Sequence, residues 1–143
     1  MAEVKVLTQF SEFPGPRYCK QGSYSGEAFY HKVLNEAFAD ALENHEKLIL
    51  DLDGTDGYMS SFIDEAVGNL VFDFGVELVK DNLIVISKEE KIWIDLVKQK
   101  VIPEWGENKE KGIFPKKTFK KDHPAWYRLV AGKLEKKVWI QST

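Results

Sequence analysis

The chain has 143 residues, 43% of them hydrophobic and 30% charged, with a net charge of −3. That is enough for one compact domain with a sizeable core, and it excludes a disordered chain or a collagen-like repeat. The single cysteine, Cys19, excludes an internal disulfide and a thiolate metal cage, and fits a reducing, cytoplasmic compartment.

The charge is unevenly spread. Residues 1–97 carry 8 basic against 18 acidic side chains, net −10, and residues 98–143 carry 12 against 5, net +7. Two explanations follow: the basic, Trp-rich tail folds back on the acidic body, or it meets an anionic partner such as nucleic acid. The opening MAEVKVLTQFSEF lacks a basic region followed by an apolar run, so no signal peptide is expected. No apolar stretch approaches the roughly 18 residues of a membrane span.

In chain order, alternation over 3–9 predicts a first strand. Pro14, Gly15, Pro16, Gly22 and Gly26 then predict a long loop. Tyr30, Val33, Leu34, Ala37, Phe38 and Ala41 recur at helical spacing, which predicts a helix over 26–44. Ser25 stands at its N-cap and Glu27 in its first turn, where the helix dipole favours an anion. The apolar run from Leu48 into Asp51 reads as a central strand covered on both faces. A second helix begins near Ser61 with Ser61-x-x-Asp64 as a capping-box-like start. Leu83–Ser87 is a third buried strand, and a third helix over 88–102 is expected to stop at Pro103. The order β-α-β-α-β-α predicts an α/β fold with a mostly parallel or mixed sheet flanked by helices.

Beyond Pro103 a basic C-terminal extension, 104–143, is expected to pack on the same domain. It reads as irregular over 105–121, helical over 124–134 and as a strand over 137–141. Trp93, Trp105, Trp126 and Trp139 are expected as core or interface anchors. Lys116, Lys117, Lys120 and Lys121 would be the contacts of a nucleic-acid-binding tail. His31, His45 and His123 make no metal-site spacing and are expected as surface or capping residues. No metal or other cofactor is expected.

Two resemblances bear on function. Leu48 to Asp51, followed by Asp53-Gly54-Thr55, resembles the first motif of haloacid-dehalogenase-type phosphatases. That resemblance implies Asp51 as nucleophile and Asp53 as general acid and base around Mg²⁺. The later acidic pair that would complete the metal site does not stand in the sequence.

The second covers more of the chain, from about residue 3 to residue 90. Gly15-Pro16-Arg17, Ser25-Gly26-Glu27, Asp51-Leu52-Asp53-Gly54 and Met59-Ser60-Ser61-Phe62 with Glu65 and Gly68 resemble a bacterial STAS-like domain family of unknown function. The resemblance implies the fold of anti-sigma-factor antagonists and a non-enzymatic regulatory module. Its partner would be a protein, a histidine-kinase-like ATPase or a neighbouring regulator. Ser60 takes the place of the serine such kinases phosphorylate, with Met59 and Phe62 where antagonists have Asp and Gly. The docking or switch residues implied are Ser60, Ser61, Phe62 and Glu65.

The residues also place acids around Ser60, so Ser60 and Ser61 are expected mainly to cap the helix. Arg17, Ser25, Glu27 and Asp53 are expected to organise the loop or hold an anion, with Arg17 meeting Glu27, Asp53 or a ligand.

Overall fold

The computed structural model describes residues 2–119 and 125–139. Three short strands form a parallel sheet in the order β1-β2-β3, with helices packed on it. These are β1 (Ala2–Lys5), β2 (Leu48–Asp51) and β3 (Leu83–Ile86). Val4 lies opposite Leu50 and Leu50 opposite Val85, so apolar residues run across the sheet.

The first strand is shorter than its alternation suggests. The chain turns at Val6 into α1 (Val6–Gln9), and Val6 O accepts from Phe10 N at 3.0 Å and from Ser11 N at 2.9 Å. The long loop follows, holding one 3₁₀ turn, Cys19–Gln21. The first long helix spans 26–43 as α2 (Gly26–Phe29), a π turn (Tyr30–Leu34) and α3 (Asn35–Glu43). It starts where the sequence predicts, with Ser25 Oγ accepting Ala28 N–H at 3.0 Å.

The second helix, α4 (Ser60–Phe74), is buried almost all round. Its apolar residues cover most of its circumference, and its buried polar residues Glu65, Asn69 and Asp73 share one face. The chain breaks at Gly75 (φ 93°) and resumes as α5 (Val76–Asn82). On the far side α4 packs against α7 (Ile102–Glu110), and Gly68 permits the approach. A Cβ there would lie 2.0 Å from the Trp105 ring.

Three further expectations are corrected. β3 is an edge strand, with Ile84 38% exposed, because the sheet ends there. Pro103 does not stop its helix. α6 (Ile92–Leu96) passes through a π turn (Val97–Val101) into α7, with Pro103 in the first turn. The wider turn takes the chain past the carbonyls that a proline ring would strike in a regular helix. Residues 105–110 are therefore helical and no boundary falls at 103.

Finally, residues 126–137 form no helix. They make a hairpin of β4 (Trp126–Val130) and β5 (Lys133–Lys137). Ala131 (φ 51°) and Gly132 (φ 81°) supply the two left-handed positions of a tight hairpin turn. The strand expected over 137–141 lies partly outside the described residues. No helix among those described is long and apolar enough to cross a membrane.

Candidate functional site

The start of α4 sits between a pinned loop and a ring of aromatic side chains. Tyr58 Oη donates to Leu52 O at 2.7 Å and Asp56 N to Glu12 O at 2.8 Å, which fixes the β2–α4 connection. Met59 is the N-cap, in extended conformation (φ −89°, ψ 143°), and no side chain caps the helix. The expected capping by Ser60 and Ser61 is thus not made. Ser60 is exposed at the first helical position and Ser61 is half-buried. Asp64 is drawn away from the helix end by Arg17 Nη1 at 2.6 Å and by the Trp105 indole N–H at 3.0 Å. Met59 itself is 55% exposed.

Phe62 and Glu65 face inward. Phe62 is 0% exposed and stacks on Phe29, with ring centroids 5.7 Å apart. Glu65, 1% exposed, accepts from Arg17 Nη1 at 3.2 Å and from Asn69 Nδ2 at 2.8 Å. Burial raises the Glu65 carboxyl above its usual range, and Asn69, Lys117 and Arg17 oppose that. These two residues shape the turn from inside and present nothing to a docking molecule. Arg17 closes the entry loop onto α4, through Asp64 and Glu65 where the sequence suggested Glu27 or Asp53. The three line an open pocket of about 320 Å³ with Tyr18, Trp105 and Phe114. Arg17→Ala is expected to destabilise the fold by about 2 kcal/mol, because a buried carboxylate loses a charged donor. Urea denaturation checks this; an unchanged midpoint would show the guanidinium to be free for a ligand.

Ser25 and Glu27 both bond to the entry loop. Ser25 Oγ donates to Cys19 Sγ at 3.4 Å, and Glu27 accepts from Cys19 N at 2.9 Å and Thr118 N at 2.6 Å. Asp53 does not join them. It accepts from the backbone N–H groups of Lys88 and Glu89, each at 3.0 Å, and those bonds, Glu89's first, pull its carboxyl below the usual range. Asp51 accepts from Asp53 N at 2.9 Å and pairs with Lys5 at 3.5 Å. Among the described residues no group of three or more His, Cys, Asp or Glu could hold a metal ion.

The lysines of the tail divide. Lys116 is exposed and lies over the Tyr18 ring. The Lys117 ammonium points inward, to Asn69 Oδ1 at 2.6 Å and His31 Nε2 at 2.9 Å, over the rings of Trp126 and Tyr30. Burial lowers its pKa to about 8. Lys120, Lys121 and His123 lie outside the described residues. His31 is not the surface group expected. Lys117 donates to its Nε2, which leaves the proton on Nδ1, buried with no partner among the described residues. Its pKa is lowered to about 2, by burial first and then by Lys117. His45 is exposed at φ 55°, just past the helix end.

A polar stripe was missed from sequence. Glu65, Asn69 and Asp73 recur at four-residue spacing along α4 and therefore share one face. Asp73, 1% exposed, accepts from Tyr30 Oη at 2.5 Å and Arg128 Nε at 2.8 Å. Opposite stand Glu27, Tyr30 and Asn35 on the first long helix. Polar residues at that spacing inside an apolar helix were the available signal.

With this geometry in place, the class is that of a parallel α/β domain whose middle strand leads to an exposed serine at a helix start. Residues 25–93 match the family model described as a STAS-like domain of unknown function, and the fold agrees with it. No curated protein and no solved structure matches the chain.

Proposed function

We propose that this chain is a regulatory protein-interaction module, without catalysis of its own, working in a reducing cytoplasm. It docks a protein partner, a histidine-kinase-like ATPase or another regulator, through Met59, Ser60 and the exposed side of the first turn of α4. The observation that carries this reading is the exposure of Met59 and Ser60 beside a well-packed support: Phe62 is buried among aromatic rings and Arg17 ties the entry loop to Asp64.

The STAS-like match supports a regulatory reading of the same turn. Negative charge on Ser60 would sit beside unpaired helical N–H groups and alter what the surface accepts. The nearby carboxylates of Asp64 and Glu65 are already paired with Arg17.

A photoreactive residue at position 59, with a second version at exposed position 43 as control, tests the proposal in the native host. The expected result is a crosslink to an ATPase or regulator from position 59 alone, lost in Ser60→Asp. The same crosslinked proteins from both positions would overturn it.

A further inference from the structure

The polar stripe on α4 and its counterpart on the first long helix form the walls of a groove, and the chain's own C-terminal segment lies in it. We propose that this groove is a recognition site for an extended basic-aromatic segment of a partner protein, held here in cis by residues 115–119 and 125–139.

The contacts are those of peptide recognition. Asn35 meets the main chain of the segment: its Nδ2 donates to Tyr127 O at 2.9 Å, as it does to Tyr30 Oη, and its Oδ1 accepts from Tyr127 N at 2.8 Å. A side-chain amide used in this way holds any extended chain, whatever its side chains. Asp73 takes the Arg128 guanidinium at 2.8 Å. Asn69, His31 and the rings of Tyr30 and Trp126 enclose the Lys117 ammonium. Glu27 accepts both the N–H and the hydroxyl of Thr118. The groove thus selects cations with buried carboxylates and amides, and aromatic rings by stacking.

The segment meets the body at the rim of its core. It gives Trp126 to the buried apolar cluster, and Phe119, Tyr127, Leu129, Leu134 and Trp139 pack against that cluster while only partly buried. β5 is almost wholly exposed, and a two-stranded hairpin is marginal without a surface to rest on. The family match ends at residue 93, so the groove walls, Glu27 to Asp73, lie inside the matched region and the occupant lies outside it. Two buried polar atoms, His31 Nδ1 and Trp126 Nε1, lie at this contact with no partner among the described residues.

The test uses the full chain and a fluorescein-labelled peptide of residues 115–139 as probe. Wild-type chain should bind it weakly, because the tethered copy competes. Lys117→Ala/Arg128→Ala in the chain should raise the affinity about tenfold or more, and Asp73→Asn added to that chain should remove the gain. Binding should weaken with added salt. Amide exchange of the wild-type chain gives an independent reading: Tyr127–Val130 should exchange at least about tenfold faster than Leu48–Leu50. No uptake of the peptide by either chain, or equal protection of β4 and β2, would overturn the proposal. So would a concentration-dependent wild-type dimer that Arg128→Ala abolishes, since the groove would then belong to a second copy.

Discussion

Phe62→Ala should lower the free energy of unfolding by about 3–5 kcal/mol, the range for deleting a fully buried aromatic ring. The ring stacks on Phe29 at 25° between planes and also meets Phe10 at 6.2 Å and Tyr58 at 5.6 Å. Those contacts join the entry loop, α2, the β2–α4 connection and α4, so no single element can collapse into the space left behind. Alanine gains a little helix propensity, about 0.5 kcal/mol, which does not compensate. Ser60→Ala, two positions away and exposed, should change stability by no more than about 0.5 kcal/mol. Urea denaturation of the two variants checks the contrast, with Phe62→Leu as a milder form should the alanine chain fail to fold. Equal stability of Phe62→Ala and wild type would mean that the ring is at the surface and belongs to the docking face after all.

That contrast also marks how far the sequence could be read. The central strand, the helix over 26–43 and the start of α4 were legible because apolar spacing and the Ser25 cap are local signals. So was the parallel order, since β-α-β units leave few alternatives. Pro103 misled because the π turn at Val97–Val101 that precedes it leaves no mark in the sequence. The hairpin was missed because Ala131-Gly132 is a weak turn signal beside aromatic residues that also suit a helix.

In the site, Ser25 and Glu27 fell where local chemistry placed them. Arg17, by contrast, chose Asp64 and Glu65, and that pairing depends on where a loop lands 47 residues away from its partner. Phe62 follows two serines at a helix start and reads as surface. Its burial was decided by Phe10 and Phe29, which only the fold brings near. The two-toned charge is explained in part by the tail returning to the body, with Lys117 and Arg128 meeting the α4 stripe.

Acid should destabilise the chain through His31, and the sign follows from its surroundings. In the folded state the imidazole holds no proton until about pH 2, whereas an unfolded histidine takes one near 6.5. As pH falls below about 6.5 the unfolded state binds a proton that the native state refuses, so stability is lost at up to about 1.4 kcal/mol per unit. At pH 4.5 the loss from this residue should be roughly 2–3 kcal/mol. The partners facing the ring are the Lys117 ammonium at 2.9 Å and the aromatic faces of Tyr30, Phe119 and Trp126, none of which welcomes a second cation. Glu65 and Asp73 work in the opposite direction, because burial raises their carboxyls and mild acid then favours the folded state. His31→Gln separates the two effects: it keeps an acceptor for Lys117 and cannot titrate. Urea midpoints measured at pH 7 and pH 4.5 should fall more steeply for wild type than for the variant. Parallel profiles would place the imidazole in water. Because His31 is buried, and faces Lys117, at the contact between the C-terminal segment and the first long helix, that contact should be the first structure to yield, with the sheet and α4 following only at lower pH.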